Sequence, residues 1–135
     1  MKTLIIFLAL TFSVMFSSSS YAEWTKVSEN VNGNTFYVDY ERIRKHDGYV
    51  YYWRLSDYLK PSPNGRLSSK TYNQGDCKLF RYKTLSWSFH NEPMGGGTGD
   101  TDNNPDKEWN YPPPNSSAEG CLLYTSDAAD DSLRV

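Results

Sequence analysis

Between residues 24 and 90 the apolar side chains recur at every second position more often than at every third or fourth, and most of them are Tyr, Trp, Phe or Val. That period and those residue types predict strands. Glu23 to Ser28 reads as a first short strand, Asn32-Gly33 as a turn, and Thr35 to Tyr40 as a second strand with Phe36, Val38 and Tyr40 on one face. Another extended piece at Ile43 to Lys45 leads into Asp47-Gly48, a dipeptide suited to a tight hairpin because Gly accepts positive φ without steric cost. In "YVYYWRLSDY" Tyr49, Tyr51, Trp53 and Leu55 alternate with Val50, Tyr52, Arg54 and Ser56, and the first set is expected to face the core. "PSPNG" at Pro61 to Gly65 interrupts the ladder, and Leu67 to Asn73 resumes it.

The longest strand predicted is "CKLFRYKTLSWSFH", which changes phase midway. Phe80 and Tyr82 share one parity and Leu85, Trp87 and Phe89 the other, so one extra residue near Lys83-Thr84, a bulge or bend, would bring all five to one side. Residues 91 to 108 show no apolar period and read as a long loop. Trp109 and Tyr111 flank a last short extended piece before Pro112 to Pro114. Ser116 to Glu119 then has the Ser-x-x-Glu spacing of a capping box, which announces a helix.

The two ends of the chain change this picture. Met1-Lys2, the uncharged apolar run "TLIIFLALTFSVMF" and the small residues around Ala22 make a Sec-type signal peptide over residues 1–22, with cleavage expected between Ala22 and Glu23. The run is shorter than the about 20 residues a comfortable membrane span needs. At the other end, Cys121 to Asp130, back-translated as TGT CTC TTA TAC ACA TCT GAC GCT GCC GAC, resembles the end of a transposon-derived sequencing adapter read in one frame. Residues 121–135 are therefore expected to be a non-native tail and are left out of the fold reading, and the native exported domain is expected to be residues 23–120. On that expectation the helix is only begun, and Cys77 is the sole evolved cysteine of the exported part. A single cysteine in an exported domain implies a free thiol, an intermolecular bridge or a lost partner.

Residues 23–120 carry 12 basic and 13 acidic side chains. A chain so near neutrality has no nucleic-acid footprint. Its size allows one domain with one modest core, which a covalent staple would help.

In order along the chain, Trp24, "YVDYERI" at Tyr37 to Ile43, Trp53-Arg54-Leu55, Ser68-Ser69 leading to Asp76-Cys77, Met94-Gly95, and Trp109 followed by Pro114 and Ser116 to Glu119 resemble the bacterial surface-adhesin protein E-like family. The resemblance implies a mainly β fold: a single antiparallel sheet of about six strands with a C-terminal helix laid across one face, α+β in the complete family. It also implies that a second cysteine on that helix is bridged to the sheet cysteine, which Cys77 matches. Here the sequence departs from the family, because the expected tail replaces helix and partner. Cys121 would meet Cys77 only by chance, as a bridge needs Cα atoms within about 7 Å.

Candidate chemistry is thin. His90 and Glu92 lie two apart and could share a metal, but two ligands make no site. Asp100, Asp102, Asn104 and Asp106 alternate as in calcium loops; Pro105 and Tyr111, however, stand where such a loop needs Gly and a bidentate Glu. "GGGTG" at Gly95 to Gly99 lacks the Lys-Ser/Thr of a phosphate loop and reads as a flexible loop. Nothing beside Cys77 would activate its thiol. No cofactor is expected, and no enzyme. The resulting expectation is an exported envelope protein, in the periplasm, at the outer-membrane surface or outside the cell. It would act as an adhesin-like, non-catalytic binding module, with host extracellular-matrix or plasma proteins as partners by family analogy. The alternative is a periplasmic structural or inhibitor-like module with no host ligand. Unclaimed edge strands leave room for a homodimer.

Overall fold

The computed structural model describes residues 24–132, the last two as backbone only, so the signal peptide and its cleavage site at Ala22 and Glu23 lie outside the described residues. Seven strands form one antiparallel sheet: β1 (Trp24–Glu29), β2 (Thr35–Asp39), β3 (Arg44–His46), β4 (Tyr49–Asp57), β5 (Ser68–Asp76), β6 (Arg81–His90) and β7 (Gly99–Asp102). Their order is β1-β2-β4-β5-β6-β7, with β3 pairing β4 beyond the end of β2. Among the described residues one α-helix, α1 (Ser117–Ser132), packs chiefly on β1, β2 and β4.

Local chemistry explains most of the connections. Asp47 and Gly48 both take positive φ, 51° and 83°, which is the conformation a two-residue hairpin asks of its centre. In β6 the partners of Tyr72 and Asn73 are Ser86 and Thr84, so Leu85 is the extra residue. The predicted bulge is therefore present, displaced by about one position. It turns Tyr82, Trp87 and Phe89 to one side of the sheet, where they line a common groove. Beneath it the buried side chains of Asn73 and Thr84 satisfy each other at 2.8 Å.

Three expectations need correction. The predicted strand starts too early: Cys77 to Phe80 form the turn between β5 and β6, with Phe80 at φ 51°. The segment 91–108 is not one loop, because β7 lies within it and pairs with the second half of β6. The core face of β4 is the other one. Val50 and Tyr52 are buried under the helix, whereas Tyr49, Tyr51 and Trp53 are half-buried on the opposite side; only Leu55 of the expected set is fully buried. Both parities of that strand are apolar, and the helix decides between them.

The core consists of Phe36, Val38, Val50 and Tyr52 from the sheet and Cys121, Leu122 and Ala129 from the helix. Gly75 permits a close approach of helix to sheet, since a Cβ there would lie 2.8 Å from Leu122 Cδ1 and 2.9 Å from Val50 Cγ2. The helix is longer than a single turn and continues through Ser132; Cys121, Leu122, Thr125, Ala128 and Ala129 form its buried stripe. It starts as predicted. Ser116 Oγ accepts from Glu119 N at 3.1 Å, and Glu119 Oε1 accepts from Asn115 N at 3.1 Å, one residue short of the usual reciprocal donor.

Candidate functional site

The sheet face away from the helix carries an aromatic array. Tyr72 on β5 stands between Tyr51 and Trp53 on β4, with ring centroids 6.2 and 4.9 Å away. These are cross-strand neighbours by register, Trp53 directly opposite Tyr72 and Tyr51 opposite Gln74, whose Nε2 donates to Tyr51 Oη at 3.2 Å. Further along, Tyr49 packs on Trp109 at 5.6 Å, and Arg81 and Lys83 lie 4.3 and 4.8 Å from the Trp109 ring centroid. Arg44, opposite Tyr51, and Lys70, opposite Ser88, add positive charge to the same face. Asp76 is its buried acidic member: burial works against its charge, but N–H donation from Leu79 and the Arg81 guanidinium, Nε 3.0 Å away, outweighs this and holds the carboxyl below its ordinary value.

The glycine-rich run limits this face instead of hanging free. Met94 N donates to Asp57 Oδ1 at 2.8 Å and Gly95 N to Ser68 Oγ at 2.8 Å, while Ser68 Oγ donates to Glu92 O at 2.6 Å. The segment thus folds down over the Leu55 end of the sheet, with Gly95 at φ 72° against Leu55 and Lys70. The hydrogen bonds that anchor the start of this run come from strand residues that sequence spacing does not reveal. Tyr51, Trp53 and Tyr72 stay partly exposed beyond it.

The residues singled out for chemistry are dispersed. His90 is buried with Nε2 2.8 Å from Ser88 Oγ, and burial pushes its pKa down, helped by the charge of Lys70. Exposed Glu92 lies with its carboxylate beside Gly96 and Gly97 instead. In the acidic segment Asp100 pairs with Arg66, Asp102 accepts from Asn104 N at 3.0 Å, and Asp106 accepts from Thr84 N at 2.9 Å and Asn110 Nδ2 at 2.8 Å. Among the described residues no three His, Cys, Asp or Glu side chains are grouped to hold a metal ion. His46 lies 3.1 Å from Asp47 in an exposed turn.

Cys77 and Cys121 are free thiols. Cys121 is fully buried in the core, whereas Cys77, half-buried at the start of the β5–β6 turn, touches the hydroxyl of Ser126 on the helix. Burial raises the pKa of both thiols, which leaves them poor nucleophiles. No helix among the described residues is long and apolar enough to cross a membrane.

An open antiparallel sheet with a helix laid on one face near its C-terminal end, and a half-exposed aromatic and basic face on the other side, defines the fold class. The Surface-adhesin protein E family model matches residues 24–124, and the chain belongs to that family. The fold is similar to solved structures of protein E from Haemophilus influenzae. Crystal form II of that protein is 17% identical, with a TM-score of 0.61 and coverage of 81% of this chain and 91% of that one. Protein E from non-typeable Haemophilus influenzae is 16% identical, with a TM-score of 0.56 over 84% of this chain and 82% of that one. No curated protein sequence matches the chain.

Proposed function

We propose that the chain is a Sec-exported envelope protein that acts as a non-catalytic, adhesin-type binding module for host or extracellular proteins, and that Tyr51, Trp53 and Tyr72, ringed by Arg44, Lys70 and Lys83, form its contact surface. The observation that carries this reading is the aromatic array on a face that the helix leaves open, in a member of a surface-adhesin family. Tyr and Trp combine large apolar area with few rotatable bonds, which suits protein recognition.

Protease or dye labelling of intact cells tests the location. Labelling without permeabilisation is expected; labelling only after the outer membrane is opened would favour a periplasmic module with no host ligand. For the contact surface, Trp53→Ser and Tyr72→Ser should each weaken capture of matrix or plasma proteins by about tenfold or more while the far-ultraviolet CD spectrum stays unchanged. Undiminished capture by both variants would place the contact elsewhere.

The same proposal extends to the C-terminal segment. Residues 121–135 are read as adapter-derived, and Ser126, which faces Cys77, as standing where the family's helix carries the cysteine that staples it to the sheet. Resequencing the locus with a different library chemistry tests this, and recovery of the same last fifteen residues would refute it.

A further inference from the structure

The helix leaves half of its own side of the sheet uncovered. Beside its first turn runs a groove of about 350 Å³, walled by Arg54 on one side and by Tyr82, Trp87 and Phe89 on the other, with Ser69 and Thr71 along it. Arg54 is the only charged residue in its lining, and the guanidinium has no carboxylate partner among the described residues. Its Nη2 donates to Ser117 Oγ at 2.7 Å and its Cζ lies 5.0 Å from the centroid of the Phe36 ring, while Nε is buried without a hydrogen-bond acceptor. A guanidinium is a planar fork of five donors shaped for a carboxylate; with Nε sealed off and Nη2 on Ser117, Nη1 is the group left to meet a ligand in the groove.

A second depression, of about 270 Å³, meets the groove at Tyr58 and Phe89 and continues to the turn at Ser62 and Asn64. At that end Arg66 is already engaged by Asp100 and Asn91. On the outer rim Asp102 stands directly opposite Trp87 on β7, while Asp100, opposite Phe89, is neutralised by Arg66. The whole is a trough with an uncompensated cation at its inner end and the single negative charge of Asp102 on its outer side. Such a charge pattern accepts a single terminal anion and disfavours an acidic run.

We infer that this trough captures the C-terminal end of a peptide segment. The terminal carboxylate accepts from Arg54, the last side chain, large and apolar, lies on Trp87 and Phe89, and the preceding residues run past Tyr58 toward the 62–66 turn. The site lies on the opposite side of the sheet from the surface proposed above and stands or falls without it.

The test uses the exported chain, labelled with ¹⁵N, titrated with a pentapeptide ending in Phe and with the same peptide amidated at its C-terminus. Saturable shifts confined to residues around Arg54, Thr71, Trp87 and Phe89 are expected for the free acid, with binding of the amide weaker by about tenfold or more, the value of a hydrogen-bonded charge. Arg54→Gln should reduce the free acid to the affinity of the amide. Should that variant unfold, Trp87→Ala, at a partly exposed position, is expected to weaken both peptides. Absence of saturation at millimolar peptide, equal affinity for acid and amide, or shifts centred on Tyr51 and Tyr72 would each overturn the site.

Discussion

The two halves of the helix-side face are built from similar residues and used differently. Over β1, β2 and β4 the helix closes down until Val38, Leu122 and Cys121 are sealed from water and Tyr52 nearly so. Burial of this kind pushes the Tyr52 hydroxyl far above its ordinary pKa. Over β5, β6 and β7 none of the described residues seals off Tyr82, Trp87 and Phe89, which are only half-buried beside serine and threonine hydroxyls. The comparison teaches that aromatic content alone does not mark a core in this chain. Proximity to one helix does.

If that contrast is right, substitutions on the two halves should differ sharply. Leu122→Ala removes the side chain that meets Gly75 and is expected to cost about 2–5 kcal/mol, read from urea denaturation. Ser126→Cys, opposite Cys77, should close a disulfide under oxidising conditions and stabilise the fold by about 2–4 kcal/mol. The wild-type pair Cys77 and Cys121 should form none, and peptide mapping with and without reductant distinguishes the two. Trp87→Ser, on the open half, should change stability by no more than about 1 kcal/mol.

The gentlest expected change is with pH. His90 has a folded-state pKa below its ordinary value, so the unfolded chain binds the proton more readily, and stability should fall as pH drops through the ordinary histidine range toward 5. Asp76, held below its ordinary value, adds a further loss only at more acidic pH, as its carboxylate is protonated in the folded state. His90→Gln should flatten the first slope; an unchanged slope in that variant would assign it to another group.

Much of the sheet was legible because its determinants are local. Alternation located β2 and β4, Asp47-Gly48 fixed the hairpin, the phase change in β6 revealed the bulge, and Ser116 to Glu119 marked the start of the helix. What escaped has distant causes. "GDTD" in β7 has no apolar residue and becomes a strand only because β6 offers it an edge. The core face of β4 was ambiguous because "YVYYW" is apolar on both parities, and the choice rests on a helix more than sixty residues away. Of the surfaces, the aromatic array could be suspected from "YVYYW", but its partners Tyr72 and Trp109 are brought in by register. Arg54 is legible only within the family-like Trp53-Arg54-Leu55 and not as a binding group, since the groove beside it is assembled by three strands.

Hydroxyl-radical footprinting of the folded protein tests the division of the helix-side face most directly. Trp87 and Phe89 should be modified more slowly than in the unfolded chain but clearly faster than Tyr52, which on the same side of the sheet is strongly protected. Protection of Trp87 equal to that of Tyr52 would mean that something covers the open half, and would contradict the account.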